Sequence, residues 1–398
     1  MSPGRPAALR PQLLPLLLLL GAGLQCLAVP PLLVFLIDGF RYDYMDDLQA
    51  LPGLRQLVEN GVKVDYMTPD FPSLSYPNYY SLMTGRHCDV HQMTGNYMWD
   101  ETSNKEFLIG GNQDSRLSFW WEGSEPLWVT MQKLGKKVFM YYWPGCEVEI
   151  LSTRATFCEE YYDYPSAQNL IDSIGNAMNV LSSGEAHMAA IYHEKIDVEG
   201  HHFGPKSPEI RAAVKELDAA MQLLNRLIKE KGMVGKLNIM LFSDHGMTDL
   251  QWMDKVIELD AYINMSHISK MMDRGPVVSL WPRDDKYQEN KAKLPYWKND
   301  SGTASAWQKG WHGYDNEFQD MKGFFVASGP DFKQNLKAAP IRSVDIYNLM
   351  CRTLGVKPLP NNGSWSRVEY FLNGSDGPAL STTLCCMGIF GILLALWE

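Results

Sequence analysis

The chain has 398 residues, 45% of them apolar, enough for one large α/β domain or two ordinary ones and unlike a disordered chain. Its formal charge of −10 comes with no basic block, which argues against a nucleic-acid partner, since such a partner needs Lys and Arg to displace phosphate counterions. A small or cationic substrate suits that balance better.

In chain order, Arg5 and Arg10 precede an apolar run from Leu13 to Leu20 and then Cys26-Leu27-Ala28. This pattern predicts a cleaved signal peptide over 1–28, the run being short of the roughly 20 residues of a spanning helix. Leu32 to Ile37 is a continuous apolar run ending in Asp38-Gly39, the pattern of a buried parallel strand meeting a loop. Asp70-Phe71-Pro72-Ser73-Leu74-Ser75 offers two candidate nucleophiles, and Tyr76 to Leu82 reads as a helix whose first amides face phosphate oxygens. Asn96, between Gly95 and Tyr97, reads either as a donor to a phosphate oxygen or as a turn residue.

Further strands are predicted at Met188 to Tyr192, ending near His193-Glu194, and at Leu237 to Phe242, ending in Ser243-Asp244-His245-Gly246. Between them, Leu217, Met221, Leu224 and Leu227 recur at helical spacing within Ile210 to Lys229. Strands alternating with helices imply a doubly wound sheet, and such sheets bind ligands beyond the carboxyl ends of their strands. The polar stretch from Lys286 to Lys309 reads as a loop or insertion. With no internal repeat and no long linker, one domain is the simplest count.

Of the seven cysteines, Cys26, Cys385 and Cys386 lie in the terminal segments, leaving Cys88, Cys146, Cys158 and Cys351. Cys146 and Cys158 close a short loop, for which chain entropy predicts about 3 kcal/mol of stabilisation if they pair. Cys88 and Cys351 are left open between pairing, free thiols and bridging subunits, as is a homodimer. Sequons at Asn264, Asn299, Asn362 and Asn373 agree with passage through the secretory route. Small residues over Asn373 to Gly377, a polar spacer and an apolar tail from Leu384 to Trp397 predict a GPI-attachment signal over 376–398.

Taken one at a time, the strand-end and loop residues have ordinary structural readings, but together they form an inventory. Asp197 and His201 stand four apart, His312 sits between Trp311 and Gly313, and with Asp38, Asp244 and His245 they make six nitrogen and oxygen ligands without a thiolate. Two three-ligand zinc sites need such a set, and paired zinc ions can clamp the attacking and leaving oxygens of a phosphoryl displacement. A serine between them would gain from zinc the activation that a general base supplies elsewhere.

These segments resemble the ectonucleotide pyrophosphatase/phosphodiesterase family of the alkaline-phosphatase-like superfamily, over nearly the whole of 29–375. The resemblance rests on Leu33-Val-Phe-Leu-Ile-Asp-Gly-Phe-Arg41, on Phe71-Pro-Ser-Leu-Ser-Tyr-Pro-Asn78 and on His193-Glu-Lys-Ile-Asp-Val-Glu-Gly-His-His202. It implies one α/β catalytic domain, a doubly wound and mostly parallel sheet with helices on both faces and a metal site at the strand C-terminal ends. It selects Ser75 as nucleophile over Ser73, at a position most members fill with Thr. It assigns one zinc to Asp38, Ser75, Asp244 and His245, the other to Asp197, His201 and His312, and a phosphate oxygen to Asn96.

The segments are most similar to the choline-phosphate-releasing branch of that family. This implies a GPI-anchored hydrolase of glycerophosphocholine and lysophospholipids, working through a phosphocholine-serine intermediate that water hydrolyses. A trimethylammonium group is held by aromatic faces and a carboxylate, for which Asp70, Phe71, Tyr76, Tyr192 and the Tyr/Glu-rich loop around Cys146 and Cys158 are the candidates. A nucleotide pyrophosphatase is the alternative with the same metals. A sulfatase is set aside, because no Arg follows the Pro after Ser75. The interval from His245 to His312 is short against the family pattern, the gap falling near 294–303, so a non-catalytic ectodomain stands as the third reading.

Overall fold

The computed structural model describes residues 29–110, 112–161, 164–250, 257–273, 275–286 and 308–374. The predicted signal peptide, the GPI signal and the short interval near 294–303 lie outside the described residues. Among the described residues, no helix is long and apolar enough to cross a membrane.

Eight strands form one sheet among the described residues: β1 (Leu32–Ile37), β2 (Gly61–Val64), β3 (Val138–Tyr141), β4 (Phe157–Glu159), β5 (Met188–His193), β6 (Asn238–Phe242), β7 (Phe325–Ser328) and β8 (Leu336–Ala338). Their spatial order is β8-β2-β7-β6-β1-β5-β3-β4. All pairings are parallel except those of β7, which runs antiparallel to both β6 and β2. The sheet is therefore mostly parallel, as the apolar strand runs predict.

β1 shows why these sequences need two layers of helix. All its side chains are buried, and because successive residues point to opposite faces they split between two cores. Leu32, Val34 and Leu36 join Tyr79, Tyr80, Leu82, Trp128 and Leu349, from helices α2 (Ser75–Thr84), α3 (Leu127–Lys133) and α7 (Ile346–Thr353). Leu33, Phe35 and Ile37 join Leu54, Ile174, Leu217 and Met221, from helices α1 (Pro52–Glu59), α4 (Ala167–Ser182) and α6 (Pro208–Glu230). α6 has Pro208 in its first turn and is capped by Ser207, whose Oγ accepts from the Ile210 amide at 3.2 Å. Buried Asp218 on α6 accepts from the Leu54 amide at 2.8 Å and fixes α1 against it.

The register of the central strands positions the site. Ile37 of β1 lies beside His193 of β5, and Leu36 beside Phe242 of β6, so the three strands end level. Asp38, Glu194 and Ser243-Asp244-His245 consequently emerge at one edge, where helix α5 (Lys195–Phe203) follows β5.

Candidate active site

Asp38 leaves β1 into a turn at Gly39, whose φ of +63 is left-handed and where an added Cβ would lie 2.7 Å from Asp197 Oδ1. Glycine is therefore what lets the β1 loop approach α5. The Gly39 amide donates to Asp244 Oδ1 at 3.1 Å, tying β1 to the β6 loop. On α5, Asp197 and His201 are one turn apart, with Oδ2 and Nε2 at 3.3 Å. His312 brings Nε2 to 3.6 Å from Asp197 Oδ1 and stacks on His245 with ring centroids 3.5 Å apart. His245 Nε2 lies 3.4 Å from Asp38 Oδ1, 3.1 Å from Asp244 Oδ2 and 3.2 Å from Ser75 Oγ.

The structure thus brings together all seven residues of the two ligand sets, His312 included. The short interval before His312 does not displace it: Gly310-Trp311 pairs antiparallel with Thr248-Asp249, and the Lys309 amide donates to the His201 carbonyl at 2.7 Å.

Each histidine ring is oriented by a backbone carbonyl at Nδ1. His201 donates to Gly310 at 3.0 Å, His245 to Gly246 at 2.9 Å and His312 to Ser73 at 2.9 Å. A proton fixed on Nδ1 leaves Nε2, which faces the carboxylates in all three rings, as the nitrogen that can give its lone pair to a metal.

The electrostatics call for cations. Burial, then Asp244 and Asp197, push the Asp38 carboxyl well above the usual range. Burial also resists ionisation of Asp197, but His201, His312 and His245 outweigh it and hold that carboxyl low. His312 is driven well down by burial and by neighbouring His245. Asp38 Oδ1, Asp197 Oδ1 and Asp244 Oδ2 are buried and accept no hydrogen bond from the described residues. Orphaned carboxylate oxygens facing imidazole lone pairs make a donor set that fits metal ions. Asp38, Asp197 and His245 ligand atoms lie within 4.8 Å of one another, as do those of Asp197, His201 and His312, so the two sets are contiguous.

Ser75 is the first residue of α2, and its hydroxyl is turned to His245 rather than capping the helix. Of the predicted cradle of helix amides, two members are ruled out. The Tyr76 amide donates to Asn96 Oδ1 at 3.0 Å, and Pro77 has no N–H to offer. That bond fixes Asn96 beside Ser75 and leaves its Nδ2 without a partner among the described residues, as a phosphate-oxygen donor needs.

The other pocket candidates divide. Tyr192 is buried, and its hydroxyl donates to Asp38 Oδ2 at 2.5 Å and lies 3.1 Å from Glu194 Oε2, so it backs a ligand. Tyr76 packs edge-on to Phe107 and Trp121. Asp70 is not brought to the metal ligands: it accepts from Ser81 Oγ, His87 Nδ1, the Cys88 amide and Cys88 Sγ at 2.8–3.1 Å. Phe71 projects into solvent. Cys146 and Cys158 form a disulfide, and Cys88 and Cys351 are buried free thiols.

Two residues, Tyr79 and Tyr161, were not singled out in the sequence. Tyr79 donates to Asp38 Oδ2, and its place one turn after Ser75 was the available signal. Tyr161 donates to Glu194 Oε1 at 2.5 Å, joining the disulfide loop to the end of β5. Asp70, Cys88 and His91 also cluster, but the Met93 amide donates to His91 Nδ1, so Nε2 holds the proton and faces Ser81 as a donor. That cluster is a closed hydrogen-bond network.

Residues 32–301 match the family model described as type I phosphodiesterase / nucleotide pyrophosphatase. The bis(5'-adenosyl)-triphosphatase of Mus musculus is 32% identical over 382 residues, covering 87% of this chain and 82% of the relative. Ectonucleotide pyrophosphatase/phosphodiesterase family member 5 of Homo sapiens is 29% identical over 374 residues, 85% of this chain and 77% of the relative. The solved structure of human family member 5 superimposes with a TM-score of 0.78 at 29% identity, covering 86% of this chain and 100% of that one. A murine member 5 structure, an inactive variant in complex with AMP, gives 0.76 at 28% identity, with the same coverage of 86% and 100%.

Proposed function

Because the chain belongs to the type I phosphodiesterase / nucleotide pyrophosphatase family, with its alkaline-phosphatase-like fold, we propose that it is a zinc-dependent, choline-specific glycerophosphodiesterase. It releases phosphocholine from glycerophosphocholine and lysophosphatidylcholine-type lipids. The observation that carries the phosphodiesterase reading is the hydroxyl of Ser75, 3.2 Å from His245 Nε2 at the junction of the two ligand sets. The choline preference is supported by the hydrogen-bonded row Tyr161–Glu194–Tyr192–Asp38, which puts a carboxylate and an aromatic ring beside a metal ligand.

Asp38, Ser75, Asp244 and His245 would hold one zinc, and Asp197, His201 and His312 the other. Bound there, paired zinc ions lower the pKa of a coordinated hydroxyl and neutralise charge on phosphoryl oxygens. Ser75 Oγ gives up its proton to solvent and forms the bond to phosphorus, and the glycerol oxygen departs with the bonding pair and takes up a proton. Water then cleaves the serine phosphodiester, restoring the hydroxyl and freeing phosphocholine. Asn96 Nδ2 holds a nonbridging oxygen throughout.

We place the enzyme on the extracellular face, with 1–28 as its signal peptide and a GPI anchor added near 376. The Cys146–Cys158 disulfide and the exposed sequon residues Asn264 and Asn362 support that compartment. A second reading, a nucleotide pyrophosphatase, is favoured by the relatives, one a bis(5'-adenosyl)-triphosphatase and another with AMP bound. Turnover of glycerophosphocholine and of a nucleotide phosphodiester by zinc-loaded protein separates the two. Higher kcat/KM on the choline ester supports the first, and higher kcat/KM on the nucleotide ester replaces it with the second.

A further inference from the structure

We infer that Ser73, the serine passed over as nucleophile, is a positioning residue that holds His312 in ligand geometry. The inference rests on His312 being a metal ligand, as proposed above.

Ser73 is fully buried, and both its oxygens are spent on the His312 loop. Its carbonyl accepts from His312 Nδ1 at 2.9 Å, and its hydroxyl donates to the Tyr314 carbonyl at 2.6 Å. These bonds grip the residues at and two beyond the histidine, so the ring can neither rotate nor drift without breaking one of them. Between them sits Gly313, with φ +103 and an added Cβ that would fall 2.7 Å from Leu74 Cδ2, so the loop passes closely over the Leu74 side chain, as glycine permits.

The clamp extends downstream. Asn316 Nδ2 donates to the Pro69 carbonyl at 2.8 Å, and buried Lys322 Nζ donates to Thr68 Oγ1 at 3.0 Å and to the Asn316 carbonyl at 2.7 Å. Segments 68–73 and 312–322 are thus joined at four points. Since Ser73 lies two residues before Ser75, one rigid segment carries the nucleophile of one ligand set and orients the last ligand of the other. A group that fixes the far nitrogen of a metal-binding histidine sets ring orientation and basicity; here the Ser73 carbonyl is that group, and the Ser73 hydroxyl holds the loop against it through Tyr314.

The test is zinc titration by chelator competition on the full chain, with circular dichroism as a check on folding. The proteins are wild type, Ser73→Ala, Ser73→Thr, His312→Ala and the Ser73→Ala/His312→Ala pair. The inference predicts that Ser73→Ala, which keeps the carbonyl on His312 but loses the tether to Tyr314, weakens one of two zinc ions by about 2- to 10-fold and leaves the other unchanged, that Thr, which keeps the hydroxyl, restores binding toward wild type, and that Ser73→Ala adds nothing once His312 is gone. Should Ser73→Ala fail to fold, Ser73→Cys, a much weaker donor of similar shape, is read the same way. Unchanged zinc affinity in the folded variant overturns the inference, as does an equal loss at both ions or a further loss in the His312→Ala background. Wild-type protein that takes up no zinc overturns the metal reading, and this inference with it.

Discussion

Ser75 Oγ and His245 Nε2 face each other at 3.2 Å although 170 residues separate them, one opening α2 and the other following β6. The parallel register of β6 against β1 and the packing of α2 on that sheet produce the contact. An ion held by His245 Nε2 would therefore have the Ser75 oxygen beside it.

Asp197 belongs to both clusters of candidate ligand atoms, so replacing it separates fold from metal. Asp197→Asn is expected to lower zinc affinity by at least about 100-fold while the circular dichroism spectrum stays native, since α5 keeps its hydrogen bonds. Metal analysis after dialysis checks it, and a variant that retains both ions contradicts the assignment of Asp197.

In the proposed choline reading, Glu194 carries the substrate preference. Glu194→Gln keeps the Tyr161 and Tyr192 hydrogen bonds possible but removes the charge. KM for glycerophosphocholine is expected to rise about tenfold, while KM for an uncharged aryl phosphodiester changes little. Equal effects on both esters would mean that Glu194 supports the site without reading the cation.

The fold and the cluster of Asp and His side chains at the strand ends were legible because each rests on a local pattern. The run Leu32–Ile37 with Asp38 at its end, and Asp197 with His201 one turn apart, state their geometry in a few residues. Glu194 and Tyr161 were not legible as a pair, because they stand 33 positions apart and only the β4–β3 and β3–β5 pairings bring them together. Asp70 was misleading for a related reason. Its acidity suggested a cation site, yet the turn at Cys88 folds back and supplies that carboxylate with donors.

Acid stability follows from two buried histidines outside the metal site. Burial pushes His91 and His193 down to about 4, so both stay neutral in the folded chain while the unfolded chain protonates them near 6.5. The unfolded state binds more protons between those values, so stability is fully present above about pH 6.5 and falls as pH drops through 4. Each group contributes on the order of 3 kcal/mol to that slope. In urea unfolding, His91→Gln is expected to flatten the decline, and an unaltered slope contradicts the prediction.

The disulfide holds the loop that carries Tyr161 toward Glu194. Replacing both Cys146 and Cys158 by Ser is expected to cost about 3 kcal/mol in the same unfolding assay and to raise KM for the choline ester. A loss of stability with unchanged KM would confine the disulfide to a structural role.

The central claim is that Ser75 attacks phosphorus within a zinc site. The most direct test is kcat/KM of wild type and Ser75→Ala on glycerophosphocholine, with zinc content measured on the same samples. Wild-type release of phosphocholine, with a loss of about 10³-fold or more in the variant while its zinc is largely retained, is the predicted result. A zinc-loaded variant that turns over within tenfold of wild type, or a folded, zinc-loaded wild type that cleaves no phosphodiester, would contradict it.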